Sequence, residues 1–217
     1  MVLEEARREL VAYCRRLRPD GLVVATSGNI SVRSGDLVAV TPSGVDYDRL
    51  TADQVGVHRL DGTPVEAALG ATTEMPMHLA VYEATAARAI VHTHSTAATV
   101  VSTLVDELPP IHYLIALFGG PVRVAPYATY GTGELAARAI EALDGRTACI
   151  LSNHGTVAIG DTLAAAYDRA VYLEWLCDVW LRASAHGRPR LLPPEEIERV
   201  ARKFSKYGPS RRAEEIT

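Results

Sequence analysis

The run Ile90-Val91-His92-Thr93-His94-Ser95 most restricts how this chain can fold. Its apolar, β-branched start predicts a buried strand over residues 88–94. Side chains alternate faces along a strand, so His92 and His94 share one. Two imidazoles on one face of a buried strand are costly unless something uses them. A third, His154, stands in Ser152-Asn153-His154-Gly155, between strand-like runs at 148–151 and 156–159. The glycine after it is expected to let the backbone turn sharply. Three imidazoles with a fourth position open are the ligand set of a catalytic metal rather than a structural one. By donor type the expected ion is Zn2+, with Co2+, Mn2+ or Fe2+ able to replace it. The other four histidines, His58, His78, His112 and His186, have no ligand-like spacing.

The remaining pattern supplies a frame. Helices are predicted over 3–18, 74–86, 96–105, 132–143, 162–186 and 195–204 from apolar residues recurring every three or four positions. Strands are predicted at 30–33, 37–40, 55–60 and 122–124, with Ser34-Gly35-Asp36 as a hairpin turn. Strands and helices interleave, but hairpins join several strands. The fold class is therefore α/β of the α+β type, with a mixed, largely antiparallel central sheet flanked by helices. No repeat or linker divides the chain, so residues 1–217 are expected to form one domain.

Composition excludes several functions. The net charge of −4, from 22 basic and 26 acidic residues, argues against nucleic acid and against an anionic membrane surface. No apolar run reaches the ~18–20 residues of a membrane span, and the charged start Glu4-Glu5-Ala6-Arg7-Arg8 is unlike a secretory signal. Three distant cysteines, Cys14, Cys149 and Cys177, read as reduced core residues of a cytoplasmic protein. Lys203 and Lys206 are the only lysines, and neither sits in an evident Schiff-base setting, which favours metal chemistry.

Two kinds of group could work beside the histidines. Glu74, just ahead of an apolar helix, could be a fourth metal ligand, a general base or a helix-start residue favoured by the dipole. Thr26-Ser27-Gly28-Asn29, Thr41-Pro42-Ser43-Gly44 and Thr72-Thr73 are rich in hydroxyls and glycine. Such loops offer N–H and O–H groups to an anion, although none has the spacing of a P-loop or dinucleotide motif.

Taken in order, these segments resemble the class II, zinc-dependent aldolases of the aldolase/adducin-head family, most closely its L-fuculose-1-phosphate branch. Further segments carry the likeness: Ile111-His112-Tyr113, Ala125-Pro126-Tyr127-Ala128-Thr129 and the tail Lys203-Phe204-Ser205-Lys206-Tyr207-Gly208. The resemblance implies that His92, His94 and His154 hold one Zn2+ per subunit. It implies that Glu74 ligates the resting metal and then leaves it to act as base or acid. Gly28, Asn29, Ser43, Gly44, Thr72 and Thr73 match phosphate-holding positions. Tyr113 matches a tyrosine near the reacting aldehyde, supplied across a subunit boundary, and Tyr207 one that closes over the site. A homotetramer with sites at its interfaces is implied as well.

The activity so implied is cleavage of a ketose 1-phosphate, through a metal-stabilised enediolate, to dihydroxyacetone phosphate and a short aldehyde. Some residues depart from the branch. Thr72-Thr73 replaces a serine pair, and Met75-Pro76 after Glu74 is similar to methylthioribulose-1-phosphate dehydratases. A dehydratase is therefore the main alternative. A ribulose-phosphate 4-epimerase would need an aspartate absent near Tyr113, and a non-catalytic adducin-like module would be expected to lose metal ligands.

Overall fold

The computed structural model describes residues 1–204. In chain order the elements are α1 (Glu4–Leu17), β1 (Asn29–Ser34), β2 (Leu37–Val40), β3 (Gly56–Arg59), β4 (Pro64–Glu66), α2 (Met75–Ala84), β5 (Ala89–Thr93), α3 (Thr96–Val101), β6 (Glu107–Leu108), β7 (Val122–Ala125), α4 (Gly133–Leu143), β8 (Ala148–Leu151), β9 (Gly155–Gly160), α5 (Leu163–Ala185) and α6 (Pro194–Phe204), with 3-10 turns at Ala52–Gln54 and Tyr113–Phe118. Nine strands form a sheet in the order β4-β3-β2-β1-β5-β9-β8-β7-β6. Of its pairings only β7–β8 is parallel. The mixed, largely antiparallel sheet flanked by helices matches the expectation.

Alternation along β5 divides the core. Ala89 and Val91 pack with Leu10 of α1, Ala98 of α3 and Leu173 of α5 on one face. Ile90 packs with Val81 of α2 and Ala139 of α4 on the other. His92 has the parity of Ile90, so its ring emerges on the α2/α4 side. The β1–β2 hairpin closes through Gly35-Asp36, with Ser34 opposite Leu37 and Gly35 at φ 59°. In β1, Ile30 faces the α1/α5 layer, which leaves Asn29 and Ser31 facing α2. Asn29 lies directly opposite His92.

The predicted helices and strands form with boundary shifts of one or two residues, except that the helix predicted over 96–105 ends at Val101; β4, β6 and both 3-10 turns are additional. Among the described residues, no helix is long and apolar enough to cross a membrane.

Candidate metal centre and active site

The three histidines meet. His92 and His94 ring centroids are 4.8 Å apart, and His154 lies 4.9 Å from the first and 4.7 Å from the second. Nδ1–H of His92 donates to the Thr156 carbonyl at 2.8 Å, which fixes the tautomer and leaves its Nε2 lone pair directed into the cluster. That Nε2 is 2.9 Å from His94 Nε2 and 2.9 Å from Glu74 Oε2. Glu74 Oε1 is 3.3 Å from His154 Nε2, and Oε1 is buried without a hydrogen-bond partner.

One ligand atom from each of Glu74, His92, His94 and His154 lies within 4.8 Å of the others. A tetrahedral ion with bonds of ~2.0–2.1 Å would set its ligands about 3.3–3.4 Å apart. The donor set therefore fits a divalent metal, and the unpartnered Oε1 is the atom such an ion would satisfy.

Local sequence explains how each ligand is aimed. Glu74 is the residue before α2, and Pro76 is tolerated in the first turn because an N–H there needs no partner. Thr72 ties down this helix start. Its carbonyl accepts from Met75 N at 3.1 Å, and its Oγ1 accepts from Glu74 N at 3.3 Å. The Glu74 side chain makes no capping bond, so its carboxylate is left for the histidines.

Around His154 the glycine reading needs correction. Gly155 is extended β9 backbone, and the left-handed residue is Asn153 at φ 54°, a conformation asparagine tolerates better than most. Gly155 serves close approach instead: a Cβ there would overlap the Thr93 carbonyl oxygen and lie 3.3 Å from the His94 ring.

Burial sets the protonation of the cluster. It pushes His94 down to about 3 and His154 to about 4, with the neighbouring imidazoles adding to the effect. Burial alone would raise the Glu74 carboxyl, but His92 and then His154 and the Asn29 amide hold it well below the usual range. Neutral His94 and His154 beside an ionised carboxylate are in the state in which these groups ligate a cation.

A cavity of about 360 Å³ opens over the centre, lined by Glu74, His94 and His154. All six residues expected to hold phosphate line it too: Gly28, Asn29, Ser43, Gly44, Thr72 and Thr73. Two loops are zipped together beneath them, with Ser43 N on the Gly70 carbonyl and Thr72 N on the Thr41 carbonyl, both at 3.0 Å. Gly28 is required twice over. Its φ is +75°, and a Cβ would meet the His92 carbonyl oxygen at 2.8 Å.

Asn29 stands apart from the other five. It is buried, its Nδ2–H donates to Glu74 Oε2 at 2.9 Å, and its Oδ1 lies 2.5 Å from His78 Nε2. The chain continues from His78 Nδ1 to Ser31 Oγ at 2.6 Å and from Ser31 to the Tyr82 hydroxyl at 2.8 Å.

Tyr113 is not brought to the cavity within this chain. It is half-exposed and lines a separate apolar groove with Leu117, Tyr172 and Phe204. Tyr207 lies outside the described residues. Two tyrosines not singled out individually, Tyr127 and Tyr130, line the cavity and remain well exposed. The model of the class II aldolase and adducin N-terminal domain matches residues 8–181.

The chain belongs to this class II aldolase family. A 5-deoxy-D-ribulose 1-phosphate aldolase of Bacillus thuringiensis serovar kurstaki is 39% identical over 211 residues, covering 96% of this chain and 99% of that protein. A 5-methylthioribulose-1-phosphate/5-deoxyribulose-1-phosphate aldolase of Rhodospirillum rubrum is 37% identical, covering 93% and 92% of the two chains. Among solved structures, an L-fuculose 1-phosphate aldolase superposes with a TM-score of 0.92 at 38% identity, covering 94% of this chain and 98% of that one. The matched residues 8–181 include the Glu74/histidine cluster and the loops, and this protein is an enzyme of the class II aldolase type.

Proposed function

We propose that this enzyme cleaves a short ketose 1-phosphate of the fuculose-1-phosphate type to dihydroxyacetone phosphate and a small aldehyde. The observation that carries the reading is the shared cavity, in which Glu74, His94 and His154 face the hydroxyl- and glycine-rich loops. His92, His94 and His154 would hold the metal, with Glu74 as fourth ligand at rest, and we take the ion to be Zn2+. A divalent ion there supplies Lewis-acid stabilisation of the negative charge that develops next to a ketone.

The chain's own groups account for the rest. The N–H groups of Gly28 and Gly44 and the hydroxyls of Ser43, Thr72 and Thr73 bind the phosphate and so fix the reacting carbons near Glu74. Cleavage of the C3–C4 bond needs a proton removed from the C4 hydroxyl and one returned to C3. Glu74 is the candidate for C3: in the condensation direction its ionised carboxylate takes that proton while the Tyr113 hydroxyl gives one to the aldehyde oxygen, and cleavage is this path reversed. Tyr113 is the candidate for the C4 oxygen, acting in a partner's site within a homotetramer. Its half-exposed position in an apolar groove supports that role. Tyr207 would close the site.

Relatives whose names carry 5-deoxyribulose 1-phosphate suggest that a short, deoxygenated tail suits this chain. The test is product analysis with fuculose-1-phosphate, ribulose-1-phosphate, 5-deoxyribulose-1-phosphate and methylthioribulose-1-phosphate. Dihydroxyacetone phosphate is expected, most from a short-tailed substrate. Loss of water without dihydroxyacetone phosphate would instead establish the dehydratase, the reading that Met75-Pro76 favours.

A further inference from the structure

We infer that His78 is a positioning residue for Glu74, acting through Asn29 at the head of a one-way hydrogen-bond chain that runs back to Tyr82. The inference rests on Glu74 working as proposed above.

The spacing of α2 and β1 makes the chain inevitable. Glu74, His78 and Tyr82 are four residues apart, so they rise along one side of the helix by ~6 Å per step. Asn29 and Ser31 are two apart on one face of β1, a step of ~6.6–6.8 Å. The near match lets helix and strand groups interleave as Glu74–Asn29–His78–Ser31–Tyr82, with contacts of 2.5 to 2.9 Å.

Only one direction satisfies every group. The Glu74 carboxylate can only accept, so the Asn29 NH2 must face it. The Asn29 carbonyl oxygen then faces His78 and needs a donor, which assigns the proton to Nε2. A neutral ring so protonated accepts at Nδ1, and Ser31 donates there. Ser31 Oγ in turn accepts from the Tyr82 hydroxyl. His78, Ser31 and Tyr82 are almost wholly removed from solvent, so no water can substitute for a missing member.

The consequence is orientation. Without the His78 donor, the buried Asn29 oxygen has no partner and the amide is anchored only at its Glu74 end. The amide can then swing to find another donor, and the carboxylate loses the fixed N–H that keeps it on its line to the histidines. His78 touches neither the cavity nor the ligand atoms, and it is absent from the cavity lining.

The experiment compares His78→Leu, His78→Gln and Ser31→Ala with the wild-type protein by steady-state kinetics, Co2+ titration of metal-stripped protein followed by its visible spectrum, and thermal unfolding. Glutamine can donate to Asn29 and accept from Ser31, so it can replace both bonds. His78→Leu is expected to lower kcat and Co2+ affinity by about 10-fold to 100-fold, with KM for the sugar phosphate little changed. His78→Gln is expected to recover most of both. Wild-type kcat and Co2+ affinity in His78→Leu, or a glutamine variant no better than leucine, overturns the inference. If His78→Leu does not fold, Ser31→Ala decides: a lower kcat at unchanged KM supports the chain, and wild-type kinetics overturns it. The wild-type titration separates the two readings. No Co2+ uptake by wild type sinks the metal centre, whereas equal uptake by wild type and His78→Leu sinks the positioning role.

Discussion

At the scale of single residues, the meeting of the three histidines with Glu74 was legible and its supports were not. Parity along one strand was enough to pair His92 with His94, because it depends on no other part of the fold. His78 escaped notice although it stands four residues after Glu74, a spacing that shares a helix face. Its partner is on β1, and no local pattern announces which strand a helix will cover. Gly155 was legible as a glycine with a purpose, but the purpose is steric. Replacing it by alanine puts a methyl group onto the Thr93 carbonyl oxygen, which is backbone and cannot swing aside. Gly155→Ala is expected to cost about 3 kcal/mol or more and to weaken metal binding, since His94 and His154 flank the displaced strands. Urea denaturation and Co2+ titration would check this, and unaltered stability would show that β9 can shift freely. His58 offers a second test, well away from the centre. It is buried on β3 with Nδ1 unpartnered, and burial lowers its pKa below the ordinary value. The unfolded chain then takes up a proton below about pH 6.5 while the folded one does not, so stability falls as pH drops through that region. His58→Gln should flatten the pH dependence of unfolding on the acid side of pH 6.5. An identical slope in both proteins would mean that His58 titrates normally in the fold.

Elements were legible in proportion to their length and periodicity. The long helices and the β1–β2 hairpin follow from apolar spacing and a two-residue turn with glycine at φ 59°. Pro64-Val65-Glu66 and Glu107-Leu108 did not read as strands, because two or three residues hold no alternation to detect, and β4 is exposed throughout. The parallel pairing of β7 with β8 was equally hidden, since it is decided by the path of α4 between them. The helix α3 shows how one element supports another. It has six residues, its N-cap Ser95 makes no side-chain cap, and it begins two residues after His94. Its first N–H groups are held from outside. Glu174 of α5 accepts from Ala97 N at 2.7 Å and from Ala98 N at 2.9 Å, a carboxylate on the positive end of a helix. Glu174→Ala is expected to destabilise the fold by about 1–2 kcal/mol, and Glu174→Gln, which keeps one acceptor, by roughly half as much. Chemical denaturation of the two variants measures the difference. A glutamine variant as stable as wild type, with loss only in alanine, would mean that packing of the side chain, rather than the cap, is what counts.

For the whole molecule, the cluster of Glu74 and three histidines, which could hold a metal ion, is also a junction between distant parts of the chain. Its four groups come from the start of α2, from β5 and the residue beyond it, and from the turn between β8 and β9. The helix that supplies Glu74 packs on one side of the sheet, and the strands that supply the histidines lie near its middle. An ion bound here joins parts that are distant in sequence, and it binds only when they are assembled, so its binding energy adds to folding stability. Without it, His92 Nε2 stands 2.9 Å from both the His94 Nε2 and the Glu74 carboxylate, and an oxygen of that carboxylate stays buried without a hydrogen bond. Ligation removes that penalty and adds the linkage term, about 4 kcal/mol when free metal exceeds its dissociation constant by ~1,000-fold. In a domain of this size each kcal/mol moves the midpoint by ~2–4 °C. Removing metal with a chelator is therefore expected to lower Tm by roughly 8–16 °C, and stoichiometric Zn2+ should restore it. His154→Ala should start near the chelated value and respond weakly to Zn2+, because one corner of the site is gone. A midpoint unchanged by chelator in the wild-type protein, after metal analysis confirms that the ion has left, would show that the histidines and Glu74 hold their arrangement by packing and hydrogen bonds alone.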